Sequence, residues 1–252
     1  MRATSRGHGI SYDDDGRGPA VVLVPGIMQA ASDWRDAGYV DKLAGSRRVI
    51  TVDPLGHGLS DAPQDPGAYR EPDVAGDLVA VMDAAGVDRA VLWGYSRGAR
   101  LASIAAIEFP GRVAALVAGG QAMSTPPELV DSLVHAWVEP LARGDWAGFW
   151  NVFVPVTEER KRLFEGRNDP RVMGAVLQAV SDSRYRMDLT RVSAPAFLYC
   201  GAEDLFAGLM PSDAAVLGVD LHTMSGRDHS GAFLDTDAVI PPVLAHLEAV
   251  GA

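Results

Sequence analysis

Short apolar runs alternate along the chain with longer stretches in which apolar residues recur every three or four positions. The runs Ala20–Val24, Arg48–Val52, Ala90–Trp93, Val113–Ala118, Ala196–Cys200 and Asp220–Met224 read as strands. Between them the spacing predicts helices over Asp33–Leu43, Asp73–Ala85, Ser96–Phe109, Ser212–Leu217 and Ala238–Val250. Such alternation gives an α/β fold, a mostly parallel central sheet covered by helices on both faces. The early strands run into Pro25-Gly26, Asp53 and Gly94 at their carboxyl ends, the edge at which open α/β sheets bind ligands.

The alternation breaks between residues 121 and 191. Helices are predicted there in series, over Pro127–Arg143, Asp145–Phe153, Glu158–Phe164 and Pro170–Ser183, with no strong strand between them. Asp169 and Pro170 supply the start signal of the last one, an N-cap followed by proline at the first helical position. The organisation expected is therefore a core made of residues 1–120 and 192–252, with 121–191 inserted as a helical cap over the strand ends. Trp146, Phe149, Trp150 and Phe153 follow i, i+3, i+4, i+7 spacing and share one helix face. That face must be buried, and the spacing leaves open whether it meets the core or a substrate. Trp137, Trp146, Trp150 and Phe153 are the aromatics expected to line an apolar pocket.

A length of 252 residues with 48% hydrophobic content permits one large domain with a sizeable core. The net charge of −11 argues against nucleic acid or an anionic membrane as partner and does not define a substrate; the partner expected is a small-molecule substrate with an apolar acyl or alcohol group. Cys200 is the single cysteine, so no intrachain disulfide can form. No apolar leader opens the chain and no window suits a membrane span, so a cytoplasmic location is expected. No His, Cys and carboxylate spacing suggests a metal and no glycine-rich loop suggests a nucleotide, so no cofactor is expected. The oligomeric state is not legible.

The chemistry-bearing motif is Gly94-Tyr95-Ser96-Arg97-Gly98, which lies directly between a strand and a helix. Gly-x-Ser-x-Gly in that context is a nucleophile elbow, a sharp turn that lifts one serine above the sheet edge in a strained conformation. Gly94 and Gly98 permit the close strand–helix approach. The helix N-terminus beside Ser96 aims free N–H groups at any oxyanion formed there.

Further motifs follow in order. Leu23-Val24-Pro25-Gly26-Ile27 ends the first predicted strand, and Trp34 lies eight residues after Gly26. Asp53-Pro54-Leu55-Gly56-His57-Gly58-Leu59-Ser60 follows the second, Gly201-Ala202-Glu203-Asp204 a late one, and Ser225-Gly226-Arg227-Asp228-His229 the last. With these motifs the chain resembles the α/β-hydrolase superfamily, and within it the small cap-bearing group with a serine nucleophile, from about His8 to the C-terminus. The resemblance implies Ser96 as nucleophile, His229 as base and Asp204 as its orienter, with the backbone N–H groups of Ile27 and Arg97 as oxyanion hole. Pro25 stands where the family usually has histidine. His57 is the rival base, and the resemblance assigns it a structural place instead. The Arg97 side chain could meet a substrate carboxylate or phosphate, but is expected to point away and pair with a nearby acid.

The resemblance further implies hydrolysis of a carboxylic ester or lactone. Serine at position 96 argues against the epoxide-hydrolase and dehalogenase branches, which use aspartate there. Ser230-Gly231-Ala232-Phe233 lacks the tryptophan that carbon–carbon hydrolases tend to carry after the histidine. That branch, a cofactor-free haloperoxidase or perhydrolase, and a non-hydrolytic ligand-binding member are the alternatives.

Overall fold

Strands β1 (Arg2–Ser5), β2 (His8–Gly16), β3 (Ala20–Val24), β4 (Arg48–Val52), β5 (Ala90–Tyr95), β6 (Val113–Gly119), β7 (Ala196–Gly201) and β8 (Leu221–Met224) join side by side in the computed structural model. It describes residues 1–124, 127–153, 156–183 and 185–252, and for 127–134 the backbone alone. Among the described residues the strands form one eight-stranded sheet in the order β1-β2-β4-β3-β5-β6-β7-β8. β1 and β2 pair antiparallel at one edge, and every pairing from β4 to β8 is parallel. The helices are α1 (Ala31–Asp36), α2 (Tyr39–Leu43), α3 (Glu71–Ala84), α4 (Arg97–Glu108), α5 (Pro127–Ala142), α6 (Trp146–Trp150), α7 (Glu158–Arg167), α8 (Pro170–Ser181), α9 (Met210–Leu217), α10 (His229–Leu234) and α11 (Thr236–Ala249).

The inner parallel strands are buried on both faces, which is why they read as continuous apolar runs, whereas the edge strand β8 is partly exposed. Alternate residues go to opposite layers. Val22 and Val24 of β3 and Leu92 of β5 pack with Leu78 of α3 and Leu101 and Ile104 of α4. Val21, Leu23 and Trp93 face the other way, towards Trp34, Tyr39 of α2 and Val239 and Val243 of α11. Trp34 and Tyr39 meet edge to face, with centroids 4.6 Å apart, and anchor that second layer.

Three local expectations are corrected. β1 and β2 have no counterpart in the sequence reading, because β2 carries Asp13, Asp14 and Asp15. Those carboxylates are tolerated at the sheet edge, where Asp14 accepts from Arg48 at 2.6 Å and Asp15 from Arg35 at 2.6 Å. The single helix expected over Asp33–Leu43 is two, because Gly38 takes the left-handed conformation (φ 89°) and turns the chain between α1 and α2. The helix expected over Asp145–Phe153 closes at Trp150, leaving Phe153 beyond it.

Between β6 and β7 the described chain forms α5 to α8 and no strand. Buried polar contacts tie this segment back to the sheet. Asn168 Nδ2 donates to the Met28 carbonyl at 3.0 Å and Arg167 pairs with Asp33 at 2.7 Å. Asp213, fully buried on α9, accepts from the Met123 amide at 2.6 Å and the Ser124 amide at 3.1 Å, fixing where the chain leaves the sheet.

Candidate active site

Ser96 stands where β5 gives way to α4. Its backbone has φ 52° and ψ −126°, a region that side-chain-bearing residues avoid, so the turn is strained at this one position. The strain persists because the surroundings over-determine it. The Ser96 amide donates to the Gly119 carbonyl at 2.8 Å, and its carbonyl accepts from the Ala99 amide at 2.8 Å to begin α4. A Cβ on Gly94 would strike the Gly98 carbonyl, and one on Gly98 would strike the Val24 carbonyl. Both glycines are therefore sterically required.

His229 is the first residue of α10, whose N-cap Asp228 accepts from the Gly231 amide at 2.6 Å. The cap occupies the Asp228 carboxylate and leaves the histidine to another acid. That acid is Asp204, in the turn after β7, whose Oδ2 lies 2.8 Å from His229 Nδ1. The Asp204 side chain is fully buried while His229 retains some exposure (0% against 24%), so the histidine presents its outer ring edge to a space and the acid sits behind it. Oδ1 of Asp204 accepts from the Phe206 amide at 2.9 Å, which fixes the carboxylate plane. From the other side, the Tyr95 hydroxyl donates to the His229 carbonyl at 2.6 Å.

Ser96 and His229 line one cavity of about 150 Å³. Gly26, Ile27 and Arg97 line it beside the serine. The Gly26 amide donates to Gln29 Oε1 at 2.9 Å, which holds the loop after β3 in shape. The far walls come from the helical segment between β6 and β7 and, apart from Arg160, are apolar: Trp137, Phe153, Val156, Phe164, Leu177 and Val180.

The comparisons with known proteins decide the family. A model described as alpha/beta hydrolase fold matches residues 19–145, half of the chain. The chain belongs to the alpha/beta hydrolase fold family. Among solved structures, a hydrolase from Pseudomonas aeruginosa PA01 is 26% identical and superposes with a TM-score of 0.78 over 99% of this chain and 97% of that one. A thermophilic esterase from Thermogutta terrifontis, 20% identical, reaches a TM-score of 0.85 over 100% of this chain and 99% of its own. A Bacillus subtilis protein named as a putative 2-succinyl-6-hydroxy-2,4-cyclohexadiene-1-carboxylate synthase is 34% identical over 113 residues, 43% of this chain and 40% of that protein. Epoxide hydrolase B of Mycobacterium tuberculosis is 36% identical over 104 residues, 41% of this chain and 29% of its own length. The chain thus matches well under half the length of these curated relatives.

Within this alpha/beta hydrolase, the residues read from the sequence separate into groups. Ser96, His229, Ile27 and Arg97 meet at the cavity and Asp204 backs His229. Trp137 and Phe153 reach the cavity, their rings 5.0 Å apart. Trp146 and Trp150 do not. They stack on each other at 5.6 Å, and Trp150 also stacks on Phe164 and donates to Glu165 at 2.5 Å. Phe149, between them, is fully buried against the rest of the apolar layer.

His57 lies outside the cavity lining and is buried. Its Nδ1 approaches the Leu55 carbonyl at 3.2 Å, and burial pushes its pKa down to about 3. The adjoining Asp53 also serves the loop's shape, accepting from the Ala31 amide at 2.7 Å and the Leu59 amide at 3.0 Å.

Arg97 corrects the sequence expectation. Among the described residues its side chain does not pair with an acid: it is buried, and Nε and Nη2 have no hydrogen-bond partner there. Glu71, the acid it feels most, is held by Nε and Nη2 of Arg100. Arg100 and Arg160 also line the cavity, and the sequence reading passed over both. For Arg100 a signal was present, since it follows Arg97 by three residues on one helix and so shares its face.

Proposed function

We propose that this chain is a serine hydrolase that cleaves a carboxylic ester or lactone through an acyl-enzyme on Ser96. The observation that carries the reading is the 2.8 Å Asp204–His229 pair directed at the same cavity as a serine held at φ 52°. A serine hydroxyl is a weak nucleophile at neutral pH and needs a neutral imidazole to take its proton. With Nδ1–H donated to Asp204, His229 keeps Nε2 free to accept, and Asp204 stabilises the imidazolium that forms.

Attack of Ser96 Oγ on the ester carbonyl puts negative charge on the carbonyl oxygen. The backbone N–H groups of Ile27 and Arg97 receive it, each contributing about 3 kcal/mol in the transition state. His229 then passes its proton to the leaving alcohol. Water, deprotonated by His229 in turn, releases the acid and restores Ser96. Residues 121–191 act as a cap over residues 1–120 and 192–252, and Trp137 and Phe153 are its contribution to the pocket.

The similarly folded thermophilic esterase from Thermogutta terrifontis and enol-lactonase from Burkholderia xenovorans LB400 support this bond type. Serine in place of aspartate at position 96 separates the chain from the relatives named epoxide hydrolases. The test is steady turnover of 4-nitrophenyl acetate by the wild type and its loss in Ser96→Ala. Binding of small esters without turnover would instead mark a non-hydrolytic member of the fold.

A further inference from the structure

Two arginines of α7 lie over the Phe164 ring, Arg160 at 5.6 Å from its centre and Arg167 at 5.4 Å. Only one of them holds an acid. Arg167 pairs with Asp33 at 2.7 Å, the acid whose charge Arg160 also feels most. Among the described residues the Arg160 side chain makes no hydrogen bond and no ion pair. It differs from the cavity's other arginines in being within reach of a ligand. Arg100 is held by Glu71, and the free nitrogens of Arg97 are enclosed. Arg160 is half-buried, and none of its nitrogens is among the enclosed ones.

Arg160 stands between two cavities. The catalytic one and a second of about 620 Å³, bounded by α1, α7 and α10, share Val156, Arg160, Ser230 and Phe233 as walls. Ser230 directly follows the base His229. Tyr95 and Asp228 lie within reach of the Arg160 charge, and they flank Ser96 and His229 in the chain. Burial lowers the Arg160 pKa, but an arginine stays cationic at neutral pH. The acids lining the second cavity leave that charge unmatched. Asp33 is taken by Arg167 and Asp228 by the Gly231 amide, while Asp36 and Glu159 are exposed and screened by water and salt.

We propose that Arg160 is a specificity residue for the leaving group: it binds a carboxylate carried by the alcohol half of the ester, so that the products are a carboxylic acid and a hydroxy acid. The proposal rests on the hydrolase reading above and adds which half of the substrate is charged. His229 has to give its proton to the leaving oxygen, so the alcohol half lies against His229 while the Ile27 and Arg97 N–H groups hold the acyl carbonyl. The wall shared by Ser230, Phe233 and Arg160 begins beside that histidine. Water adds across the acyl C–O bond and the carboxylate at Arg160 passes through unchanged. A guanidinium edge takes both oxygens of a carboxylate with parallel bonds, as Arg6 does with Asp77 and Arg48 with Asp14.

The experiment compares acetoxyacetate and 4-acetoxybutanoate, two reaches of one design, with their neutral amides acetoxyacetamide and 4-acetoxybutanamide, by titrating released acid. 4-Nitrophenyl acetate serves as a general reporter of hydrolysis. The wild type is expected to favour the carboxylate of at least one pair in kcat/KM by about 10-fold, the lower end for a charge-assisted hydrogen bond in a site partly open to water. Arg160→Met should bring that ratio close to one, and Arg160→Lys should recover part of it. Arg160→Gln replaces Arg160→Met if the latter does not fold. A wild type that hydrolyses 4-nitrophenyl acetate but prefers neither carboxylate overturns the proposal and leaves the hydrolase reading standing. So does a folded Arg160→Met that keeps the preference. An Arg160-dependent preference for monoethyl succinate over ethyl 4-amino-4-oxobutanoate, with none among the acetate esters, would put the anion on the acyl half and overturn it too. Failure to hydrolyse any of these esters overturns both readings.

Discussion

The Tyr95 hydroxyl donates to the His229 backbone carbonyl at 2.6 Å, across 134 residues of chain. Tyr95 immediately precedes Ser96, so one side chain couples the strand that presents the serine to the loop that presents the histidine. The rings of Tyr95 and His229 lie 5.2 Å apart, and burial holds the tyrosine hydroxyl protonated well beyond its usual range. Tyr95→Phe keeps the packing and removes the bond. It should lower kcat several-fold, about the worth of one neutral hydrogen bond, with little change in KM. A rise in KM at constant kcat would mean that Tyr95 shapes the pocket and does not position the base.

His229→Ala should reduce kcat nearly as far as Ser96→Ala, by about 10⁴-fold or more, and Asp204→Asn somewhat less. His57→Gln should retain activity. Steady-state kinetics on folded variants checks the order. An essential His57 beside a dispensable His229 would reverse the assignment.

Burial also gives His57 a pH signature in stability. Its folded pKa is lowered to about 3 from the ordinary 6.5. Between those values the unfolded chain takes up a proton that the folded protein refuses. Wild-type stability therefore stands at its full value above pH 6.5 and falls as the pH drops towards 3. Each pH unit within that window removes about 1.4 kcal/mol at most. Against His57→Gln, the wild type should lose more stability per unit of acidification, as read from urea unfolding at pH 7, 6 and 5. Parallel losses in the two proteins would show that His57 is not held neutral.

The motifs at the sheet edge were legible because each is local: Gly94 to Gly98, Gly201 to Asp204 and Ser225 to His229 each complete a turn within a few residues. The inner parallel strands were legible because burial on both faces makes them continuous apolar runs. What was missed depends on contacts distant in sequence. β2 has few apolar residues, and its acids are matched by Arg48 and Arg35 from other elements. The fate of Arg97 turned on Glu71 being taken by Arg100, and that competition has no mark in the pattern. Helical spacing put Trp146 and Trp150 with Phe153, but only tertiary packing separates the stacked pair from the ring that reaches the cavity.

That separation yields a contrast between variants. Trp137→Ala and Phe153→Ala should shift the preference among acyl groups by roughly tens of fold, mainly through KM, since apolar contacts discriminate by about 1–3 kcal/mol. Trp150→Ala should leave the preference alone and cost about 2 kcal/mol of stability, through its stacking on Trp146 and Phe164. A substrate profile for each variant together with its Tm checks both. An unchanged profile in Trp137→Ala and Phe153→Ala would remove these rings from the pocket.

The central claim is that Ser96 becomes covalently bonded during turnover, and a fluorophosphonate reports on that bond directly. Intact-protein mass spectrometry of the labelled wild type should show a single adduct, and peptide mapping should place it on Ser96. Ser96→Ala should take up no label and should have lost its esterase activity. Labelling at another residue, with activity surviving in Ser96→Ala, would contradict the account.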